Sequence, residues 1–293
     1  MISDNVCAVV VTFHPDHDVL ENLSKLRQEI PNVVVVDNGS TVESINPLRD
    51  TTSRLGFHLV ENGENLGIAT ALNLGVRYAE TIGAKWVLLF DQDSAVTPGF
   101  LEAMLLGFES SRWGKDLAIL VPRYVDKRSG SPIPAKLVGG ESVEVATTSG
   151  SLLPMWVFRG HGYFVDDLFI DGVDYEYSLR LRSRGYRIGE CSEAVLLHSP
   201  GSPTALTFRG HHILQTTNYS PLRRYYQERN KVWVSRRYWN KFPRFCLWLF
   251  FSVGAKDYVK ILLAEDNKWE KLRACLIGAA DGVRERMGRK DRL

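Results

Sequence analysis

The sequence predicts an α/β fold: a mostly parallel central sheet flanked by helices, followed by a helical C-terminal extension. Two observations carry this reading. Short apolar runs of strand length, "VCAVVVTF", "NVVVVDNGS" and "KWVLLFDQD", are separated by stretches with apolar residues at helical spacing. The runs are apolar throughout rather than alternating. Such strands are buried on both faces, which calls for helices on both sides of a parallel sheet.

The elements follow in order. "VCAVVVTF" is rich in β-branched residues and forms the first strand. "HPDHDVLENLSKLRQEI" then places Val19, Leu20, Leu23, Leu26 and Ile30 at helical spacing after a proline and aspartates. The second strand ends in Asp37 and a turn, and "FHLVEN" is a short third strand. A helix runs from about Ile68 through "NLGIATALNLGVRYAE", and "KWVLLFDQD" is the fourth strand. From Leu117 the pattern changes to shorter strands and loops: "LAILVPRYVD", "KLVGGESVEV" and "TTSGSLLP". "DLFIDGVDYEYSLRLRSRGYRIG" predicts a helix from about Tyr175 that Gly185 ends. After Pro221 the chain is helical and basic: Arg223, Arg224, Arg229, Lys231, Arg236, Arg237, Lys241 and Arg244 stand against Glu228 alone. A final helix carries Trp269, Leu272, Leu276, Val283 and Met287 on one apolar stripe, with "NKWE" as a capping box at its start. The sequence shows no internal repeat and no low-complexity linker.

Composition bounds the function. The 293 residues are 44% hydrophobic and 24% charged, ordinary for a globular chain with a large core. A net charge of +2 gives no sign of a nucleic-acid partner. Cys7, Cys191, Cys246 and Cys275 form no CxxC pair, so neither a zinc knuckle nor a disulfide framework is expected, and the chain reads as reduced and intracellular. "MISDNVCAVVVTF" lacks the basic start and cleavage site of a secretory signal. "FCLWLFFSVGA" is too short for a bilayer, which needs ~20 residues. A cytoplasmic location follows as the expectation.

Ligands of such sheets sit beyond the carboxyl ends of the strands. Here those ends read "TFH", "DNGS", "EN" and "DQDS", all polar or acidic. Asp91 and Asp93, two residues apart, suit a divalent cation with oxygen ligands, Mg²⁺ or Mn²⁺, that keeps positions open for phosphate. Acidic residues also begin turns. Asp37 offers an acceptor for the N3–H of uracil or thymine or for a ribose hydroxyl; it reads equally as a turn aspartate. His198 in "LLHSPGS" is a metal ligand, a phosphate contact or a structural histidine. "RRYYQERN" sets cations and aromatics on successive helical positions, as a phosphate site or a basic surface helix would.

In this order, "VVTFH", "VVDNGS", "NLGIATALNLGV", "LLFDQDS", "SGSLLP", "FIDGVDYEYSLRLRSRGYRI", "LLHSPGS" and "RRYYQERN" resemble glycosyltransferase family 2 with the GT-A fold. Within it the chain looks most like bacterial rhamnosyltransferases that use dTDP-rhamnose. The resemblance spans residues 5–230; the tail after about residue 240 adds little. It implies that Thr12 and Asp37 hold the nucleotide base and Asn65 lines its pocket. Asp91 and Asp93 are the DxD pair, Asp91 toward the ribose or metal and Asp93 on the metal, with His198 completing the diphosphate–metal site. Arg224, Tyr225 and Arg229 cover the diphosphate. Aligning "VDYEYSLRL" on the family's "EDVDLCLRL" pattern puts Asp174 at the catalytic base, with Val173 in place of the preceding acid; Asp171 and Glu176 remain alternative bases.

The resemblance further implies an inverting, metal-dependent transfer from a nucleotide-sugar donor to a saccharide or lipid-linked saccharide acceptor, in bacterial cell-surface polysaccharide synthesis. A UDP-hexose is the alternative donor. Residues 1–222 form the catalytic domain, with a nucleotide-sugar half to about residue 115 and an acceptor half from 116, and residues 223–293 form the extension. Two rivals differ in class. "LLFDQDSAV" resembles the DxDx[TV] motif of haloacid-dehalogenase-type phosphatases, but Ala95 replaces the Thr/Val and three strand–helix units precede it. A non-catalytic nucleotide-sugar-binding protein is the other, opposed by the acidic motif at Asp174. Eight cations between residues 223 and 255, together with Trp233, Tyr238, Trp239, Phe245, Trp248, Phe250 and Phe251, read either as a peripheral membrane surface or as packing on the domain or a homodimer contact.

Overall fold

The computed structural model describes residues 5–135, 137–138, 142–198, 204–208, 211–290 and 292. Residues 1–4 of the opening stretch, 136 and 139–141 of "KLVGGESVEV" and 199–202 of "LLHSPGS" lie outside them. The chain forms two compact units, one of Met1–Asp166 with Arg180–Ser199, the other of Asp167–Leu179 with Pro200–Leu293.

The first unit begins β1 (Val6–Thr12), α1 (His17–Glu29), β2 (Asn32–Asp37), α2 (Val42–Leu55), β3 (His58–Glu61), α3 (Ile68–Thr81) and β4 (Trp86–Asp91). The short β5 (Ser94–Val96) and α4 (Phe100–Glu109) follow, then β6 (Leu117–Asp126), β7 (Pro132–Ile133), β8 (Leu137–Val138), β9 (Ser142–Val143), β10 (Leu152–Pro154) and α5 (Met155–His161). α6 (Val173–Arg182) starts in the second unit, and β11 (Arg187–His198) returns to the first. The main sheet runs β3-β2-β1-β4-β10-β6-β11-β5, with β7 on β6. β1, β2, β3 and β4 pair in parallel, as do β6 and β11; β10 and β5 run antiparallel to their neighbours. The expected mostly parallel sheet is therefore present with three reversed strands: β10 within it, β5 at its edge and β7 on β6.

The valine runs explain the parallel half. Val6 through Val11 of β1 and Val33 through Val36 of β2 are all buried, covered on both faces as continuous apolar strands require. α1 is capped by Asp16, whose carboxylate accepts the Val19 N–H at 3.2 Å, and it buries Val19, Leu23 and Leu26. α2 forms through Pro47, a residue that disfavours helix interiors; buried Ile45, Leu48, Thr51 and Thr52 hold it in place.

The second unit holds the β12 (Thr204–Phe208) and β13 (His211–Thr216) hairpin, then α7 (Pro221–Tyr238), α8 (Pro243–Trp248), α9 (Ala255–Ala264) and α10 (Lys268–Val283). A π-helical turn, Leu249–Gly254, joins α8 to α9. Among the described residues no helix is long and apolar enough to cross a membrane.

α10 reverses the sequence reading. Trp269 is 84% and Leu276 71% exposed, and Val283 is exposed as well. The buried side instead carries Lys271, Ala274, Cys275, Gly278, Asp281 and Gly282. Asn267 adopts a left-handed conformation and makes no side-chain cap, so "NKWE" is not a capping box. The cause is close approach to α7. A Cβ on Gly278 would lie 2.4 Å from the Tyr225 carbonyl oxygen, and one on Gly282 2.5 Å from that of Arg229.

Gly278→Ala is therefore expected to destabilise by about 1–3 kcal/mol, overpacking outweighing the ~1 kcal/mol helix-propensity gain. Gly160→Ala in α5 meets nothing within 4 Å and is expected to be neutral or stabilising. Urea midpoints of the two variants check this pair; equal behaviour would remove the close-packing explanation.

Candidate active site

The first group of candidate residues lies at the carboxyl ends of β1 and β2, where Thr12 and Asp37 are register partners. Thr12 Oγ1 donates to Asp37 Oδ1 at 3.3 Å, and Ser40 Oγ donates to the same oxygen. Asp37 Oδ2 accepts the N–H groups of Gly39 (3.2 Å) and Ser40 (2.9 Å). Four donors match the four lone-pair sites of a carboxylate. Asp37 thus anchors its turn, and a base N3–H would reach it only after the Thr12 or Ser40 hydroxyl rotated away. Gly39 has φ +88°, and a Cβ there would lie 2.3 Å from the Glu64 carbonyl carbon, so the turn rests directly on the backbone preceding Asn65. Asn65 Oδ1 accepts from Asn38 Nδ2 (3.1 Å) and the Gly67 N–H (2.9 Å). Its own Nδ2 makes no hydrogen bond to a described residue and remains available as a donor.

The DQD segment ends β4 beside β1, with Asp91 opposite Val11. Gln92, which sequence reasoning passed over as a spacer, clamps the chain after β1: Oε1 accepts the Phe13 N–H at 2.8 Å and Nε2 donates to the Phe13 carbonyl at 3.2 Å. Its signal is chemical, since a carboxamide carries the donor and acceptor that match one backbone residue. The Asp91 N–H donates to Ser149 Oγ at 3.1 Å, and Ser149 Oγ donates to Ser94 Oγ at 2.8 Å. Ser149 belongs to "SGSLLP", which thereby fixes the end of β4.

His198 reaches this rim through strand pairing. β5 runs antiparallel to β11 with Ser94 opposite His198. The imidazole Nδ1 lies 3.0 Å from Ser94 Oγ and 3.4 Å from Asp93 Oδ1. Asp93 Oδ1 is buried and has no hydrogen-bond partner among the described residues. Burial pushes the Asp93 carboxyl above its usual range, and the His198 charge opposes that shift. A buried anionic oxygen beside an imidazole fits a divalent cation. The tautomer that donates from Nδ1 to Ser94 leaves a lone pair on Nε2, the form a metal ligand needs.

The expected trio of Asp91, Asp93 and His198 is not fully assembled. Among the described residues no three carboxylate, imidazole or thiol side chains converge into a ready cage. The structure brings Asp93 and His198 together and ties Asp91 by its main chain to Ser149. That suits Mg²⁺ or Mn²⁺, which are commonly held by one or two carboxylates with phosphate oxygens and water completing the shell.

In the second unit, the turn before α6 and the first turn of that helix present three carboxylates. Asp171, at φ +62°, is engaged by Arg223 through Nε and Nη2, both at 3.1 Å. Glu176 is buried and accepts the Tyr238 hydroxyl at 2.8 Å. Asp174 accepts the Tyr175 N–H at 2.9 Å. Its carboxyl is pushed up to about 6, chiefly by desolvation and further by the charge of Asp171, although part of the side chain reaches solvent. Of the three, Asp174 is the carboxylate neither engaged by a cation nor buried beneath a tyrosine.

Arg224, Tyr225 and Arg229 differ from the expectation that they cover a diphosphate. Arg224 is 3% exposed and pairs with Glu265 and with Asp257 at 3.3 Å. The Tyr225 hydroxyl donates to Asp281 at 2.9 Å. Arg229 is fully buried and donates to the carbonyls of Asp167, Leu168 and Gly288, and to Asn230 Oδ1. Asn230 Nδ2 in turn contacts the carbonyls of Leu168, Ile170 and Asp171 at 2.7–2.8 Å. The reason is the glycine-mediated α7–α10 contact, which buries this face of α7 and obliges each guanidinium to find a partner inside. The "RN" of "RRYYQERN" therefore holds the loop that carries the Asp171–Asp174 turn.

Residues 7–146 match glycosyl transferase family 2, a span that runs from β1 past the DQD segment. The chain carries a family 2 glycosyltransferase domain. The dTDP-rhamnosyl transferase RfbF of Shigella flexneri is 28% identical over 307 aligned residues, covering 97% of each chain. Among solved structures, S. aureus TarS residues 1–349 in complex with UDP-GlcNAc aligns with a TM-score of 0.62 at 16% identity, covering 96% of this chain and 82% of that one. The mannosyltransferase PcManGT of Pyrobaculum calidifontis, in complex with GDP-Man and Mn²⁺, aligns with a TM-score of 0.56 at 17% identity, covering 95% and 75%. The glycosyltransferase thus has the GT-A fold expected from its motifs, and the phosphatase and binding-protein rivals are set aside.

Proposed function

We propose that this glycosyltransferase moves L-rhamnose from dTDP-rhamnose, with inversion and with a divalent cation, to a hydroxyl of a saccharide or lipid-linked saccharide acceptor in bacterial cell-surface polysaccharide synthesis. The near-full-length similarity to a dTDP-rhamnosyl transferase supports the donor. The observation that carries the reading is the buried Oδ1 of Asp93, which has no hydrogen-bond partner among the described residues and has the His198 imidazole 3.4 Å away. An anion in that position calls for a counter-charge that a cation-bound diphosphate brings.

In this reading Thr12, Asp37 and Asn65 hold the nucleoside, Asp91 the ribose, and Asp93 and His198 the metal, with Asp91 contributing to its shell. When bound, Mg²⁺ or Mn²⁺ supplies Lewis-acid neutralisation of the diphosphate. Asp174 accepts the proton of the acceptor hydroxyl as that oxygen bonds to the anomeric carbon. The bond from that carbon to the diphosphate oxygen breaks, and the electron pair leaves with the nucleoside diphosphate. One base is enough for inversion, so a second carboxylate on the opposite face is not needed. Residues 1–222 carry catalysis in this scheme, and Arg229 and Asn230 of the extension position the turn of the base.

Thermal-shift screening of nucleotide sugars, with and without Mn²⁺, tests the donor. Ligand linkage raises Tm for the true donor. The expected outcome is a Mn²⁺-dependent rise with dTDP-rhamnose exceeding that with UDP-hexoses. A larger rise with a UDP-hexose replaces the donor, and no rise with any of them removes the assignment.

A further inference from the structure

The exposed apolar side chains of this protein are concentrated in its last quarter. Nine of the fourteen large exposed hydrophobics among the described residues lie between Trp239 and Val283. Five of them, Leu247, Phe251, Val259, Leu262 and Leu263, fall in the continuous helical run of residues 243–264, where Ala255 between them is exposed too. A spacing of four drifts by about 40° per step along an α-helix, and the wider π-helical turn Leu249–Gly254 offsets part of that drift, so the series stays on one broad side of a run about 30 Å long. Phe251 is 73% and Leu263 63% exposed. The opposite side of the run is also apolar, and it is spent on packing: Phe245, Cys246, Leu249 and Ile261 are buried. A helix that is apolar on both sides has a second medium to meet.

The charges around the stripe choose that medium. The run carries Arg244, Lys256 and Lys260 against a single acid, Asp257, whose carboxylate faces the buried Arg224 at 3.3 Å. A second copy of the chain would set this cationic row against itself, because a twofold contact repeats the same patch on both sides. A bilayer with anionic headgroups complements it: apolar side chains enter the acyl boundary and the cations meet phosphates. We propose that the outer face of residues 243–264 is a peripheral docking surface for anionic lipid membranes. The aromatic segment singled out in the sequence is only partly involved. Tyr238 and Phe245 are buried, and the surface extends instead to Val259, Leu262 and Leu263.

Co-sedimentation with vesicles tests this without any reference to catalysis. The probes are vesicles of phosphatidylcholine alone and of equal parts phosphatidylcholine and phosphatidylglycerol, at low and high salt. Salt-sensitive binding to the anionic vesicles only is expected. Phe251→Ser with Leu263→Ser is expected to lower partitioning on the order of 100-fold, and Lys256→Gln with Lys260→Gln about 25-fold, fivefold for each cation. Phe251, Lys256 and Leu263 are exposed and Lys260 is half-buried, and circular dichroism confirms that the variants fold. The proposal is overturned if the wild-type chain does not bind anionic vesicles at low salt. It is equally overturned if the serine variant binds as the wild type does, or if that variant converts a solution dimer to monomer, which assigns the stripe to a second copy.

Discussion

Asp174→Asn is expected to lower the transfer rate on the order of 10²-fold or more while leaving donor affinity almost unchanged. The substitution keeps the shape of the carboxyl and removes only its ability to take a proton. With its pKa pushed up to about 6, Asp174 is ionised at neutral pH, so kcat/KM is expected to fall as pH drops below about 6. The Asn variant loses that limb. Stability moves the other way. A carboxyl whose folded pKa is raised costs stability when ionised, at pH above the folded value. That cost fades as pH falls from about 6 toward the unfolded value near 3.8. Asp174→Asn is therefore expected to raise Tm at pH 7–8 and to match the wild type near pH 4. Equal losses in donor binding and rate, or an unaltered pH profile, contradict the assignment. Full activity in Asp174→Asn with an inactive Asp171→Asn moves the base to Asp171.

Asp93→Asn is expected to abolish cation-dependent donor binding and to reduce turnover on the order of 10²–10³-fold, the scale of losing a preorganised electrostatic partner of the leaving group. Without metal the same variant is expected to melt higher than the wild type at neutral pH, because Asp93 Oδ1 is buried with no hydrogen-bond partner and burial raises its pKa. Addition of Mn²⁺ and dTDP reverses the order by stabilising the wild type alone. Metal-dependent turnover at the wild-type rate in Asp93→Asn contradicts the role.

The parallel half of the fold and its acidic rim were legible because their causes are local. Valine runs bury themselves whatever surrounds them, and Asp91 and Asp93 directly follow such a run. The DxD pair and the strand ends were readable for that reason, as was α3, which runs Ile68–Thr81 from the expected start. What escaped depends on distant partners. The neighbours of His198 are set by pairing between β5 and β11, 104 residues apart in sequence for Ser94 and His198. No periodicity announces that Ser149 would bridge Asp91 and Ser94.

The extension shows how a sound local rule misleads. The stripe of Trp269, Leu276 and Val283 has helical spacing, which ordinarily marks the buried side. Gly278 and Gly282 admit the α7 backbone so closely that the small-residue side wins, and the large side chains turn outward. The same contact draws Arg224, Tyr225 and Arg229 inward, so residues that read as phosphate ligands became anchors of their own unit. α2 formed against the local signal of Pro47 because its buried residues outweigh one lost hydrogen bond.

The central claim is that the Asp93–His198 rim binds a nucleoside diphosphate together with a divalent cation. Isothermal titration of dTDP into the wild-type chain and into Asp93→Asn, each with and without Mn²⁺, tests it most directly. Linkage makes the coupling reciprocal, so Mn²⁺ must tighten dTDP by the same factor that dTDP tightens Mn²⁺. The account predicts tightening on the order of 100-fold in the wild type, a coupling of about 3 kcal/mol, and less than about twofold in Asp93→Asn. Identical dTDP affinity in the wild type with and without the cation, or undiminished coupling in Asp93→Asn, would contradict it.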